Sequence, residues 1–183
     1  MKKLATISFR SRRRNRVIVF ANQKGGAGKS TFAIHYSNYC RYHRNTEVVV
    51  IDADPQMSIA KIHDKDMKEI PDRKELYQVF RFDKLHDRTE TKYLIEDARD
   101  MGCYIIIDTP GNLSMEGQRV LMTMCDAMVI PYTYDEATTL STFDTISCIK
   151  KFDQLEGRDK SMDMYFVQNR FSKSSVLCLG RPV

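Results

Sequence analysis

Residues 21–31 read Ala-Asn-Gln-Lys-Gly-Gly-Ala-Gly-Lys-Ser-Thr, a glycine-rich stretch opened by Lys24 and closed by Lys29. The apolar run Val17-Ile18-Val19-Phe20 precedes it, and bulky residues at helical spacing (Phe32, Tyr36, Tyr39, Tyr42) follow it. The pattern predicts a strand that feeds a helix through a tight turn. In that setting Gly25, Gly26 and Gly28 let backbone N–H groups approach an anion, and the positive end of the helix dipole faces it. Lys29 would reach outer phosphates, and Ser30, followed by Thr31, would offer its hydroxyl to Mg²⁺. A mere glycine turn beside a lysine is the plainer reading, but the flanking strand and helix weigh against it. The general phosphate-loop pattern places a glycine five residues before Gly28, where this chain has Gln23.

Two more apolar runs end in carboxylates. Val48-Val49-Val50-Ile51 leads into Asp52-Ala53-Asp54-Pro55-Gln56, and Tyr104-Ile105-Ile106-Ile107 leads into Asp108-Thr109-Pro110-Gly111. Continuous apolar runs of this length suit strands buried on both faces, as in a parallel sheet covered by helices. Ligands of such sheets bind beyond the carboxyl ends of the strands, which would gather Asp52, Asp54 and Asp108 around the glycine loop. An Asp at a strand end also serves as a turn residue or helix cap. Three such sites in chain order favour the shared-site reading.

The remaining pattern predicts helices near 57–68, 89–100 and 114–124, a short edge strand near 76–81, a strand at Ala127-Met128-Val129-Ile130 and a helix from about Ala137. Met115, Met122, Met124, Tyr77 and Phe80 read as packing groups. Alternating strands and helices predict an α/β fold, a doubly wound, mainly parallel sheet flanked by helices. Residues 16–183 are expected to form one domain, preceded by a basic arm over residues 1–15.

The loop Lys-Gly-Gly-Ala-Gly-Lys-Ser resembles the deviant Walker A motif of the ParA/MinD family of P-loop ATPases. Asp-Ala-Asp-Pro-Gln is similar to that family's second motif, and Ile-Ile-Asp-Thr-Pro-Gly to its Walker B segment. Asp54-Pro55-Gln56-Met57-Ser58 and Gly111-Asn112-Leu113-Ser114 are similar to short plasmid-type ParA proteins, as is the strand that ends at Pro131. The resemblance covers roughly residues 16–170. It implies a P-loop NTPase fold and ATP with Mg²⁺, the nucleotide being held by residues 24–31 (Lys24, Gly25, Gly26, Ala27, Gly28, Lys29, Ser30, Thr31) and Pro131. Asn169, in Val167-Gln168-Asn169-Arg170, would read the adenine edge, although a turn residue would look the same in sequence.

The same resemblance assigns Lys24 to the nucleotide of a second subunit, Asp54 to orienting the attacking water, and Ser30, Asp52 and Asp108 to the surroundings of Mg²⁺. It implies slow ATP hydrolysis, an ATP-dependent homodimer that binds nonspecific DNA, and stimulation by a ParB-like centromere-binding protein. The role implied is DNA partitioning of a plasmid, chromosome or mobile element by a cytoplasmic, nucleoid-associated protein. ParA proteins usually continue beyond the strand at Asn169 with another strand and helices, so a shortened C-terminus is expected here.

Composition narrows the alternatives. No apolar stretch approaches the roughly 18 residues of a membrane span, and Arg10 to Arg16 interrupt the only region that could resemble a secretory signal. A MinD-like membrane switch would need an amphipathic C-terminal helix, and Ser174 to Gly180 have no helical period, so no stable membrane association is expected. A non-hydrolysing nucleotide module of a conjugation or DNA complex is the other alternative. The five cysteines form no Cys-Xaa-Xaa-Cys pair, and residues 109–124 contain none to hold a cluster, which argues against a redox role. Seven of the cations behind the net charge of +5 lie in the first sixteen residues, at Lys2, Lys3, Arg10, Arg12, Arg13, Arg14 and Arg16, with no acid among them. Such an arm can hold phosphates without reading sequence, or remain a solvated leader. Lys150, Lys151, Arg158 and Lys160 are the corresponding candidates on the folded body.

Overall fold

The glycine loop sits at the centre of a sheet that has six strands among the described residues, because the strand before it does. In the computed structural model, β1 (Arg16–Phe20) lies between β4 (Tyr104–Asp108) and β5 (Ala127–Tyr132). The structure describes residues 16–70, 72, 74–112, 115–156 and 162–170. The other strands are β2 (Val48–Asp52), β3 (Gln78–Arg81) and β6 (Asp163–Gln168), giving the order β3-β2-β4-β1-β5-β6 with every pairing parallel. The expectation of a mainly parallel sheet thus resolves to an entirely parallel one. The sites after β2, β4 and β1 open at the same end, since Asp52 faces Asp108 in register and Phe20 faces Asp108 from the other side.

Five helices among the described residues cover the sheet: α1 (Lys29–Arg44), α2 (Ser58–Glu69), α3 (Arg88–Arg99), α4 (Glu116–Met124) and α5 (Glu136–Glu156). Strand alternation splits the core in two. Val17, Val19, Ile105 and Ile107 pack with Ile95 of α3, Leu121 of α4 and Ile149 of α5, whereas Ile18, Phe20, Val50 and Ile106 pack with Ala33 and Cys40 of α1 and Ile59 of α2. Arrangement on both faces explains why β1, β2 and β4 read as unbroken apolar runs. Met115, Met124 and Phe80 pack on the first cluster and Tyr77 on the second, and Met122 is buried, as packing groups should be.

Two local details depart from the sequence pattern. The inward face of α1 is Ala33, Ser37 and Cys40, while Tyr39 and Tyr42 point to solvent, 46% and 64% exposed. Small residues let α1 lie close to the sheet. Lys150 and Lys151 sit inside α5, which continues to Glu156, and not at its end; Arg158 and Lys160 fall outside the described residues. The arm over residues 1–15 and the segment from Ser174 to Gly180 also lie outside them. Cys125 is buried beside Met162, its sulfur held in the core. No helix among the described residues is long and apolar enough to cross a membrane.

Candidate functional site

The loop between β1 and α1 is shaped by backbone conformations that glycine adopts cheaply. Gly26 and Gly28 have φ of 76° and 107°, and Gly28 is the residue from which α1 starts, without any side-chain cap. The helix therefore leaves its first N–H groups for another acceptor, which is what an anion site requires. A side chain at Gly28 would also collide with the Asn169 amide. Gly111, after β4, approaches the loop so closely that a Cβ there would meet the Gly25 nitrogen at 3.2 Å.

The two lysines occupy different environments. Lys29 is buried, and its Nζ donates to the Lys24 carbonyl at 3.4 Å. Burial lowers its pKa, opposed by the carboxylates of Asp108 and Asp54. The Lys24 side chain is exposed, and no carboxylate of the described residues forms an ion pair with it, while its backbone N–H is fixed by the Asn22 Oδ1 at 2.9 Å. One lysine thus points into the molecule and the other is free to reach outward.

Ser30 and Asp108 meet across the site: the Ser30 hydroxyl donates to Asp108 Oδ2 at 2.5 Å. Asp108 is fully buried, and its Oδ1 has no hydrogen-bond partner. Burial, opposed by the Ser30 hydrogen bond and reinforced by the neighbouring charge of Asp52, pushes its pKa up to about 7. An orphaned carboxylate oxygen beside a serine hydroxyl is a hard-oxygen donor set, and among the described residues no group of three or more His, Cys, Asp or Glu competes for a metal. That composition fits Mg²⁺, which retains waters and takes few protein ligands beside phosphate oxygens.

Asp52 is engaged differently. Its Oδ1 accepts from Asp54 N–H at 3.3 Å and its Oδ2 from Ala60 N–H at 2.9 Å, so it braces the turn into α2. That turn includes Met57 at φ 50°, and burial raises the Asp52 pKa. Asp54 is partly buried, accepts from Gln56 N–H at 2.8 Å, and lies close enough to act on Lys29. Thr31 is exposed in the first turn of α1, and Ala27 is buried beneath the loop. Asn169 donates to the Ala27 carbonyl at 3.0 Å, which ties the end of β6 to the loop. Pro131 accepts from Asn22 Nδ2 at 2.8 Å.

Sequence reading missed the residue that organises much of this. Asn22 is completely buried; its amide donates to Pro131 O and to Thr142 Oγ1 at 3.1 Å, and its Oδ1 accepts from Lys24 N–H and from Ser141 Oγ at 3.0 Å. Thr145 Oγ1 accepts the Gln23 N–H at 3.4 Å, and Thr109 Oγ1 donates to Phe20 O at 2.8 Å. The available signal was the hydroxyl stripe Thr138, Ser141, Thr142 and Thr145 on α5, spaced at helical intervals on an otherwise mixed helix.

Comparisons with known proteins agree with this fold. Residues 18–177 match the family model described as the CobQ/CobB/MinD/ParA nucleotide binding domain. The structure is similar to a plasmid partition protein from Borrelia burgdorferi bound to AMPPNP (20% identity, TM-score 0.67, covering 88% of this chain and 78% of that one). It is also similar to the Cyanothece McdA–ATP complex (16%, 0.67, 91% and 78%) and to the Aquifex aeolicus MinC:MinD complex (16%, 0.68, 88% and 72%). A curated relative, a replication protein A of Sinorhizobium fredii, is 32% identical over 109 residues, or 58% of this chain; the match spans only 25% of that relative. With its all-parallel P-loop sheet, its two-lysine glycine loop and its match over most of its length, the chain belongs to the CobQ/CobB/MinD/ParA family of nucleotide-binding domains.

Proposed function

We propose that this protein is a ParA-like ATPase that partitions DNA through an ATP-dependent dimer. The observation that carries the reading is the unequal pair of lysines: Lys29 buried toward Asp108 and Asp54, Lys24 exposed on an anchored backbone. In this reading the loop N–H groups of residues 25–31 and Lys29 hold the phosphates of ATP, and Lys24 reaches the nucleotide of a second copy. Each charge-assisted hydrogen bond of that kind contributes about 1.5–3 kcal/mol, enough to make dimerisation depend on the terminal phosphate.

Ser30 and Asp108 would hold Mg²⁺, with Asp52 adding negative charge from behind; the ion would neutralise phosphate charge and draw electrons from the bond that breaks. Asp54 orients and polarises the water that attacks the terminal phosphate. Asn22 keeps the Lys24 backbone in place, and Asn169 supports the loop from Ala27, leaving its remaining polar capacity for the base. Chemistry of this kind rests on positioning and charge and needs no covalent nucleophile. Turnover by one subunit alone is slow because a further cation is supplied by the partner, a ParB-like centromere-binding protein.

Residues 16–183 act as one ATPase domain, and the dimer holds nonspecific DNA, with Lys150, Lys151 and the basic arm as its phosphate contacts. A plasmid partition protein among the structural relatives is in keeping with this reading. Light scattering with a non-cleavable ATP analogue tests it. Wild type should become dimeric and bind duplex DNA, Lys29→Ala should lose the nucleotide, and Lys24→Ala should bind nucleotide as a monomer. An intact analogue-induced dimer of Lys24→Ala would refute the crossing lysine, and equal background phosphate release by wild type and Asp54→Ala, with DNA and the partner present, would refute hydrolysis.

A further inference from the structure

The face of the sheet that α1 covers carries a second concave surface, which runs from Tyr104 at the start of β4 to Phe20 and Tyr165, level with the end of β1. Two cavities, of about 520 and about 540 Å³, share Tyr36 as a wall. Tyr39, His43 and Arg44 line the first; Arg16, His35 and Tyr165 line the second. No Asp or Glu of the described residues lines either one. Rings and cations stand there among the aliphatic side chains of Ile18, Val129 and Val167.

We infer that this trough binds a single-stranded polynucleotide, independently of ATP. The rings are available for stacking: Tyr39 and Tyr165 are 46% and 50% exposed, and Tyr39 lies beside His43 with centroids 5.3 Å apart and planes inclined by 31°. Large rings kept in water beside cations are the means by which proteins hold unpaired bases, because every base has a face to stack and every linkage carries a charge. A duplex buries those faces within its own stack. Each cavity falls in the roughly 300–1,000 Å³ range of small-molecule sites, room for a nucleotide unit apiece.

Charge arrives at the same place. Arg16 faces Tyr104 in register, and Tyr104 also lines the first cavity. Arg12, Arg13 and Arg14 stand just before Arg16 in sequence. Glu47 pairs with Arg41 at 2.6 Å, and Asp163 forms a 3.9 Å ion pair with Arg16 itself, for which a phosphate would compete. Neither cavity is lined by a residue of the glycine loop, so the two sites use different side chains.

Fluorescence anisotropy of the full chain without nucleotide tests the assignment, using labelled oligo(dT) of about 15 nucleotides, oligo(U) of equal length, and a duplex competitor. Oligonucleotide should bind with a steep salt dependence. Tyr39→Ala and Tyr165→Ala should each weaken binding by about tenfold, whereas Tyr39→Phe, which keeps the ring, should match wild type. Circular dichroism melting of the same variants separates lost binding from lost folding. Lys29→Ala should keep oligonucleotide affinity, which distinguishes failure of this site from failure of the ATP reading. Preference for oligo(U) or equality with oligo(dT) supports the trough and tells RNA from general single-strand binding. Unchanged affinity in both alanine variants, or a duplex that competes as well as a single strand, would overturn it. Binding that appears only after deletion of residues 171–183 would give the trough to the chain's own tail, and would overturn it too.

Discussion

Replacing Asp108 by asparagine should remove the largest part of a pH-dependent stability. Asp108 ends β4 fully buried, with one oxygen on Ser30 and the other without a partner, and its pKa is pushed up to about 7 from 3.8, first by burial. The folded protein therefore holds a proton that the unfolded chain releases at a much lower pH. The stability tied to that proton is complete below about pH 4, declines as pH rises through the interval, and is gone above about pH 7. Between pH 5 and pH 8 the folded form gives up the proton over about two pH units, each worth about 1.4 kcal/mol, so wild type should lose about 3 kcal/mol from this group. The amide of the variant cannot titrate.

The assay is urea unfolding of wild type and Asp108→Asn at pH 5 and pH 8, with EDTA and without nucleotide. The gap between the two proteins should shift by about 3 kcal/mol in favour of the variant at the higher pH. Asp52, also raised by burial, titrates in both proteins and largely cancels. Parallel pH profiles would mean that Asp108 is already ionised in the folded state, and the reasoning about an uncompensated buried carboxylate would fail. The same variant should lose Mg²⁺-dependent nucleotide affinity, as expected of a function–stability trade-off.

Three other perturbations probe the framework. Asn22→Ala strands the Lys24 N–H and the Pro131 carbonyl; it should lower stability by about 2–4 kcal/mol by denaturant titration and weaken nucleotide binding by calorimetry. Gly117→Ala would drive a carbon into Thr91 Oγ1 and the Leu85 carbonyl, forcing α4 off α3; a loss of about 1–3 kcal/mol should appear in the same titration without a change in nucleotide affinity per folded molecule. Cys103, buried with its thiol pushed up to about 11, and Cys125, fully buried, should resist a thiol reagent at pH 8 in the native protein and react on unfolding, by mass spectrometry; rapid native labelling would contradict the packing of that core.

Much of the site was legible because its chemistry depends on residue type at short range. A glycine turn between strand and helix, and an Asp where an apolar run stops, are local signals, and β1, β2 and β4 deliver them to one end of the sheet. Strand order was not legible. Nothing in Val48–Ile51 or Tyr104–Ile107 says which neighbours β1, since all parallel, doubly covered strands carry the same pattern. The bonds of Asn22 were hidden for a related reason: its partners at Pro131, Ser141 and Thr142 lie more than a hundred residues away. The Tyr39 and Tyr42 positions show the limit of periodicity, which marks a helix without naming its buried face when small residues do the packing.

Those distant bonds also explain how a small loop can speak for the whole molecule. Through Asn22 the backbone at Lys24 is tied to β5 at Pro131 and to α5 at Ser141 and Thr142, and through Gln23 to Thr145 one turn further along the same helix. Through Asn169 and Ala27 it is tied to the end of β6. A shift of the loop cannot leave these partners where they are, because each broken bond would strand a buried polar group at a cost of about 1–3 kcal/mol. Leu140 and Phe143, large and solvent-exposed, stand on the very stretch of α5 that carries these hydroxyls. The same hydrogen bonds therefore join the phosphate loop to the stretch of α5 that presents this apolar surface.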